Sequence, residues 1–141
     1  MANTVYNIAK EMFSSSGLDW DLDDIRVMLI DSTGAAVDAD DLYVSAISGD
    51  ELSDTNYARS ALAGLTVTRD EANDRAEMDA NDLTFTSLGG TDTVKSAVLF
   101  KQVTNDNDSP LILWIDNPFP FITNGGDMTL QFNAEGILQM A

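Results

Sequence analysis

The chain has 141 residues, 44% of them hydrophobic and 22% charged, the size and balance of one folded domain and not of a disordered chain. Its 24 Asp and Glu stand against 7 Lys and Arg, a net charge of −17; such a polyanion repels nucleic acid and anionic membrane surfaces, so neither is an expected partner. The absence of cysteine and histidine excludes disulfides, thiolate metal sites, cysteine nucleophiles, the Ser-His-Asp triad and histidine–zinc chemistry.

The first residues, Met1-Ala2-Asn3-Thr4, carry no basic stretch leading into an apolar run, and no segment approaches the ~18 apolar residues of a membrane span. Synthesis in a cytoplasm without an export signal is expected. Val5, Ile8, Ala9, Met12 and Phe13 then fall at i, i+3, i+4, i+7 and i+8, one face of a helix, and Gly17 stands where a helix stops. The spacing predicts a helical N-terminal segment over 1–17, whose apolar face either caps the end of the β-structure or docks on another subunit.

Asp19-Trp20-Asp21-Leu22-Asp23-Asp24 reads as a turn into Ile25–Ile30, a largely buried strand that ends at Asp31-Ser32-Thr33-Gly34. Tyr43–Ile47 is a further candidate strand, and 53–63 is either a loop or a helical turn. Beyond that the period is two. Leu65 and Val67, Leu83 and Phe85, and Met128, Leu130 and Phe132 each alternate with polar residues, which predicts strands with one wet face. Val94, Ser96, Val98 and Phe100 are expected to point one way, whereas Leu111–Ile115 is apolar on both faces and belongs at the centre of a sheet. Gly89-Gly90, Asn105–Pro110, Asn117-Pro118 and Asn124–Asp127 supply the turns. The sum is a single mainly β domain over 1–141, an antiparallel β-sandwich or barrel-like fold of about seven or eight strands with one short N-terminal amphipathic helix.

Carboxylates are the remaining candidates for chemistry. Leu29-Ile30-Asp31-Ser32-Thr33-Gly34 has one residue too many between Asp and Gly for the aspartic-protease loop, and no nucleophile elbow, P-loop or dinucleotide glycine pattern is present. The expectation is a protein that is not an enzyme, with no catalytic residues, no metal and no cofactor. Calcium needs only oxygens, and Asp19, Asp21, Asp23 and Asp24 crowd one stretch. An EF-hand loop, however, wants Gly and Glu where Asp24 and Ile30 stand, so solvated turns are the expected reading there and in Asn105–Asp108.

Asn117-Pro118-Phe119-Pro120-Phe121-Ile122 makes a stiff apolar loop that prolines keep out of a central strand. Phe119 and Phe121 either close over the core or anchor a partner. Together with Val5, Ile8 and Met12 they form the candidate interface. Trp20 is a candidate for stacking on a sugar, while Trp114 lies in a core strand.

The order of several features is informative. Asn3–Lys10 with Tyr6, Asp19-Trp20, Asp23–Val27, Thr66-Val67-Thr68, Asp79–Phe85, Ser109–Ile112 and Thr123–Asp127 together resemble a family of small virion proteins of tailed bacteriophages, and the likeness runs along nearly the whole chain. Within that family the chain resembles head decoration, or cement, proteins. The resemblance implies a structural protein that binds the major capsid protein on the capsid exterior, associates with itself, with a homotrimer favoured, and is made in the cytoplasm of a bacterial host. The alternatives are another virion component, such as a tail or adaptor protein, and a calcium- or glycan-binding adhesion module.

Overall fold

The computed structural model describes residues 3–116 and 119–140. In chain order the elements are β1 (Thr4–Val5), α1 (Asn7–Ser14), β2 (Ile25–Asp31), β3 (Ser60–Ala61), β4 (Thr66–Asp70), β5 (Arg75–Asp79), β6 (Leu83–Phe85), β7 (Thr93–Lys101), β8 (Leu111–Ile115), β9 (Phe121–Ile122), β10 (Met128–Leu130) and β11 (Leu138–Met140). The protein is mainly β, with eleven antiparallel strands among the described residues where about seven or eight are expected. Five strands are additional to those expected, the two-residue pairings at β1, β3 and β9, the three-residue β11 and β5, whose charged residues hide its alternation, while one expected strand, Tyr43–Ile47, is missing.

The central sheet runs β1-β8-β7-β2-β3, with β9 pairing the start of β7. Its three long strands carry apolar residues on both faces because both faces are covered. Ile25, Val27 and Leu29 of β2, Ala97 and Leu99 of β7, and Leu113 and Ile115 of β8 face one cluster, which the small sheets β4-β5-β11 and β6-β10 close with Met78, Leu138, Phe85 and Leu130. Met28, Ile30, Val98, Phe100 and Trp114 face the other, closed by Tyr6, Val44 and Ile47. Complete burial of each such side chain contributes about 1.5–3 kcal/mol, so this sandwich-like layering carries most of the stability.

A bulge alters the expected facing of β7. Ile30 pairs Ser96 but Asp31 pairs Val94, so Lys95 is the additional residue. One extra residue turns the strand over. Val94 therefore joins Ala97 and Leu99 in the first cluster, away from Val98 and Phe100 in the second.

The helix is shorter than 1–17 and begins after Val5, which lies in β1 opposite Leu113. Asn7–Ser14 ends in a Schellman-type turn: the Gly17 N–H reaches back to the Met12 carbonyl at 2.9 Å, and Ser16 takes the left-handed conformation at φ 60°. Gly17 is thus next to the residue that breaks the helix. Tyr43–Ile47 is not a strand: Val44–Ala46 forms a 3-10 turn, although Tyr43 bridges Pro110. Residues 53–63 are a loop carrying β3. Val67, expected on a buried face, is 52% exposed because the apolar face of β4-β5-β11 extends past the core it covers.

Candidate functional site

All seven cations donate to acceptors of their own chain. Arg26 pairs Asp24 at 2.8 Å, Arg69 pairs Glu71 at 3.0 Å, and Arg75 pairs Glu77 at 2.8 Å. Arg59 pairs Glu51 at 2.8 Å and Asp106 at 2.7 Å. Lys101 reaches Asp23 Oδ2 and the Gly17 carbonyl, both at 3.0 Å; Lys95 holds the Gly34 and Ala35 carbonyls; Lys10 bonds Asn7 Oδ1. The surplus carboxylates consequently dominate the surface.

The acidic turn at 19–24 is organised by the chain itself. Asp23 Oδ2 accepts the Asp19 N–H at 2.8 Å as well as Lys101 Nζ, and Asp24 is held by Arg26. The neighbouring Asp21 carboxyl pushes the Asp19 carboxyl up. Among the described residues no three acidic side chains converge on a point where a metal ion would sit. In the loop 103–109, Asp108 Oδ1 accepts the N–H groups of Thr104 and Asn105 at 3.0 and 2.8 Å, and these bonds lower its pKa.

The aromatic candidates point inward. Trp20 is 2% exposed and donates its indole N–H to the Asp79 carbonyl at 3.0 Å, so no face is open for a sugar. Trp114 is buried too, bonded to Asp116 Oδ1 at 2.7 Å. Phe119 lies in the first core cluster with Phe121 packed against it, which agrees with the first of the two readings, a cover over the core. Asn117 and Pro118 of the same loop lie outside the described residues. Val5 is likewise packed on the core.

Ile8 and Met12 are also half-buried against the core clusters, but unlike Val5 they border a groove. They line a groove with Leu42, Tyr43, Val103 and Pro110. Leu42 is 50% exposed and Val103 49%, large apolar side chains that a soluble surface seldom groups together. The floor is held by backbone bonds: the Val44 N–H reaches the Ser109 carbonyl, the Leu111 N–H the Leu42 carbonyl, each at 3.0 Å, and the Asn7 N–H ties α1 to Ala39 at 2.9 Å. Ser109 is fully buried and its Oγ accepts the Val103 N–H at 3.0 Å. The groove is therefore preformed.

A second exposed apolar area lies on the other flank of the helix, where Phe13 meets Val67, Ala76 and Met140. Neither Leu42 nor Val103 stands out in the sequence, since Leu42 sits in the acidic run 38–43 and Val103 beside a turn. The pairing of Val44 with Ser109, which brings them together, is long-range and leaves no local pattern.

No family model, no curated protein and no solved structure matches this chain.

Proposed function

We propose that this protein is a head decoration protein of a tailed bacteriophage, binding the outside of the assembled major capsid protein lattice and stabilising it. The observation that carries the reading is a preformed apolar groove on a rigid, acidic β-sandwich, which suits attachment by contact. The ordered resemblance along the chain supports the choice of a capsid surface. The role calls for no catalysis, cofactor, nucleic acid or membrane, and it accommodates self-association, with a homotrimer favoured, on the capsid exterior after synthesis in the host cytoplasm.

A reconstruction of the parent particle tests this. Density fitting this fold over the quasi-threefold positions of the head is expected. Recovery of the protein solely from purified tails refutes decoration in favour of a tail or adaptor role.

A further inference from the structure

We infer that the groove beside α1 receives an apolar protein segment that carries Lys or Arg between its apolar residues, a cationic amphipathic stretch of a partner protein. This assignment rests on the attachment role proposed above and specifies the chemistry of what is attached.

Two properties of the groove lead to it. Leu42 and Val103 stand half exposed on backbone fixed by the pairing of 42–44 with 109–111, so the apolar anchors are ordered before anything binds, and little freedom is lost when they are covered. The rim, in contrast, is acidic and uncompensated. Glu11 and Asp108 border the groove, and its lining cation, Lys101, is already turned to Asp23 and the Gly17 carbonyl. Asp38, Asp40 and Asp41 directly precede Leu42. The Asp41 carboxyl is raised by burial and then by the charges of Asp38 and Asp40, with no cation of the chain among the groups acting on it.

A second copy is a poor occupant. It would bring one acidic rim against another acidic surface on molecules of net charge −17, and like charges across an interface oppose association. A segment with Lys or Arg beside its apolar residues meets both demands at once: the apolar side chains fill the groove and the cations meet the rim.

The test uses the isolated, isotope-labelled protein and a short synthetic peptide of alternating leucine and lysine, with a leucine–glutamate peptide as its counterpart. Saturable amide shifts centred on Leu42, Tyr43 and Val103 are expected with the lysine peptide and none with the glutamate one. Val103→Asp is expected to weaken binding about tenfold, equivalent to about 1.4 kcal/mol, although it adds a negative charge that bulk attraction alone would turn into tighter binding. A native-like amide spectrum of the variant, or of Leu42→Asp in its place, shows that the fold is retained. Undiminished or tighter binding by the folded variant, shifts spread over the acidic surface, or equal binding of both peptides overturns the assignment. A dimer seen by sedimentation without peptide and abolished by Val103→Asp also overturns it, because the occupant is then a second copy. Head occupancy is read separately: protein that decorates heads but ignores the lysine peptide refutes the groove assignment alone, and protein that takes the peptide in the groove but is found on no head refutes decoration alone.

Discussion

Replacing Arg59 is expected to release a clamp between two distant loops. Its guanidinium bonds Glu51 through Nε and Nη2, both at 2.8 Å, and Asp106 through Nη1 at 2.7 Å, while lying 5.4 Å from the centre of the Phe100 ring. Glu51 also accepts the Tyr57 hydroxyl, which itself accepts the Leu29 N–H at 3.0 Å, so the clamp reaches the central sheet. Exposed ion pairs contribute at most about 1 kcal/mol, whereas removing one partner of a buried pair costs about 3–5. The side chains here are 23%, 18% and 39% exposed for Arg59, Glu51 and Asp106, which places Arg59→Ala at about 2–3 kcal/mol between those limits. For 141 residues that is a Tm lower by roughly 7–10 °C. The Arg59 hydrogen bond holds the Asp106 carboxyl below its ordinary range. A carboxylate lowered in the folded state contributes stability above its unfolded pKa, about 3.9, and loses it as pH falls through the folded value. The difference between wild type and Arg59→Ala is therefore expected to shrink when melting is measured below about pH 3 instead of near neutrality. Arg59→Met, which keeps the stem over Phe100, separates packing from charge. If it is as stable as wild type, or if the Arg59→Ala deficit is the same at both pH values, the electrostatic account is wrong.

Three further outcomes are expected. Tyr6 Oη and Ser96 Oγ are buried without a hydrogen-bond partner among the described residues, and burial, followed by the charges of Asp41 and Asp38, pushes the Tyr6 phenol up; Tyr6→Phe and Ser96→Ala are each expected to stabilise the fold by about 1 kcal/mol, read as a higher urea midpoint. Trp20→Phe removes the bond to the Asp79 carbonyl and is expected to destabilise by about 1–2 kcal/mol, while wild-type tryptophan emission stays blue-shifted and resists iodide quenching; ready quenching would contradict the burial of both indoles. Gly90 adopts φ +89° with the Asp54 carboxylate where a Cβ would go, so Gly90→Ala is expected to lower stability by about 2–3 kcal/mol in thermal melts, through backbone strain and the displaced carboxylate.

The central strands were legible because their hydrophobicity is local. Leu111–Ile115 is a continuous apolar run and Ile25–Ile30 is interrupted only by Arg26, and both are core strands. Met128 and Leu130 alternate with Thr129, and burial follows that alternation. What the sequence did not disclose is set by pairing between distant residues. The bulge at Lys95 depends on β2 meeting β7, and it reverses Val94 while leaving the string of residues unremarkable. Strand β5 alternates Ala76 and Met78 with Arg75, Glu77 and Asp79, a pattern dominated by its charges. At the candidate site, helical spacing identified Ile8 and Met12, but the opposing wall is made by two segments distant in sequence, Leu42-Tyr43 and Val103–Pro110. Trp20 was misjudged, and two readings of Phe119 and Phe121 stayed open, for one physical reason: large aromatic side chains beside turn residues have as much to gain from folding back onto the core as from meeting a partner.

The engagement of all seven Lys and Arg side chains by acceptors of their own chain has a consequence for how copies meet. With a net charge of −17 the molecule presents neighbours with a predominantly negative surface, so crowding many copies together confines a shared atmosphere of counterions. At physiological ionic strength that atmosphere is about 8 Å thick. Dilution of the salt thickens it and drives copies apart, whereas added salt lets them approach while the apolar burial that holds the core is left in place. Local density, more than folding, is then the property that ionic strength controls.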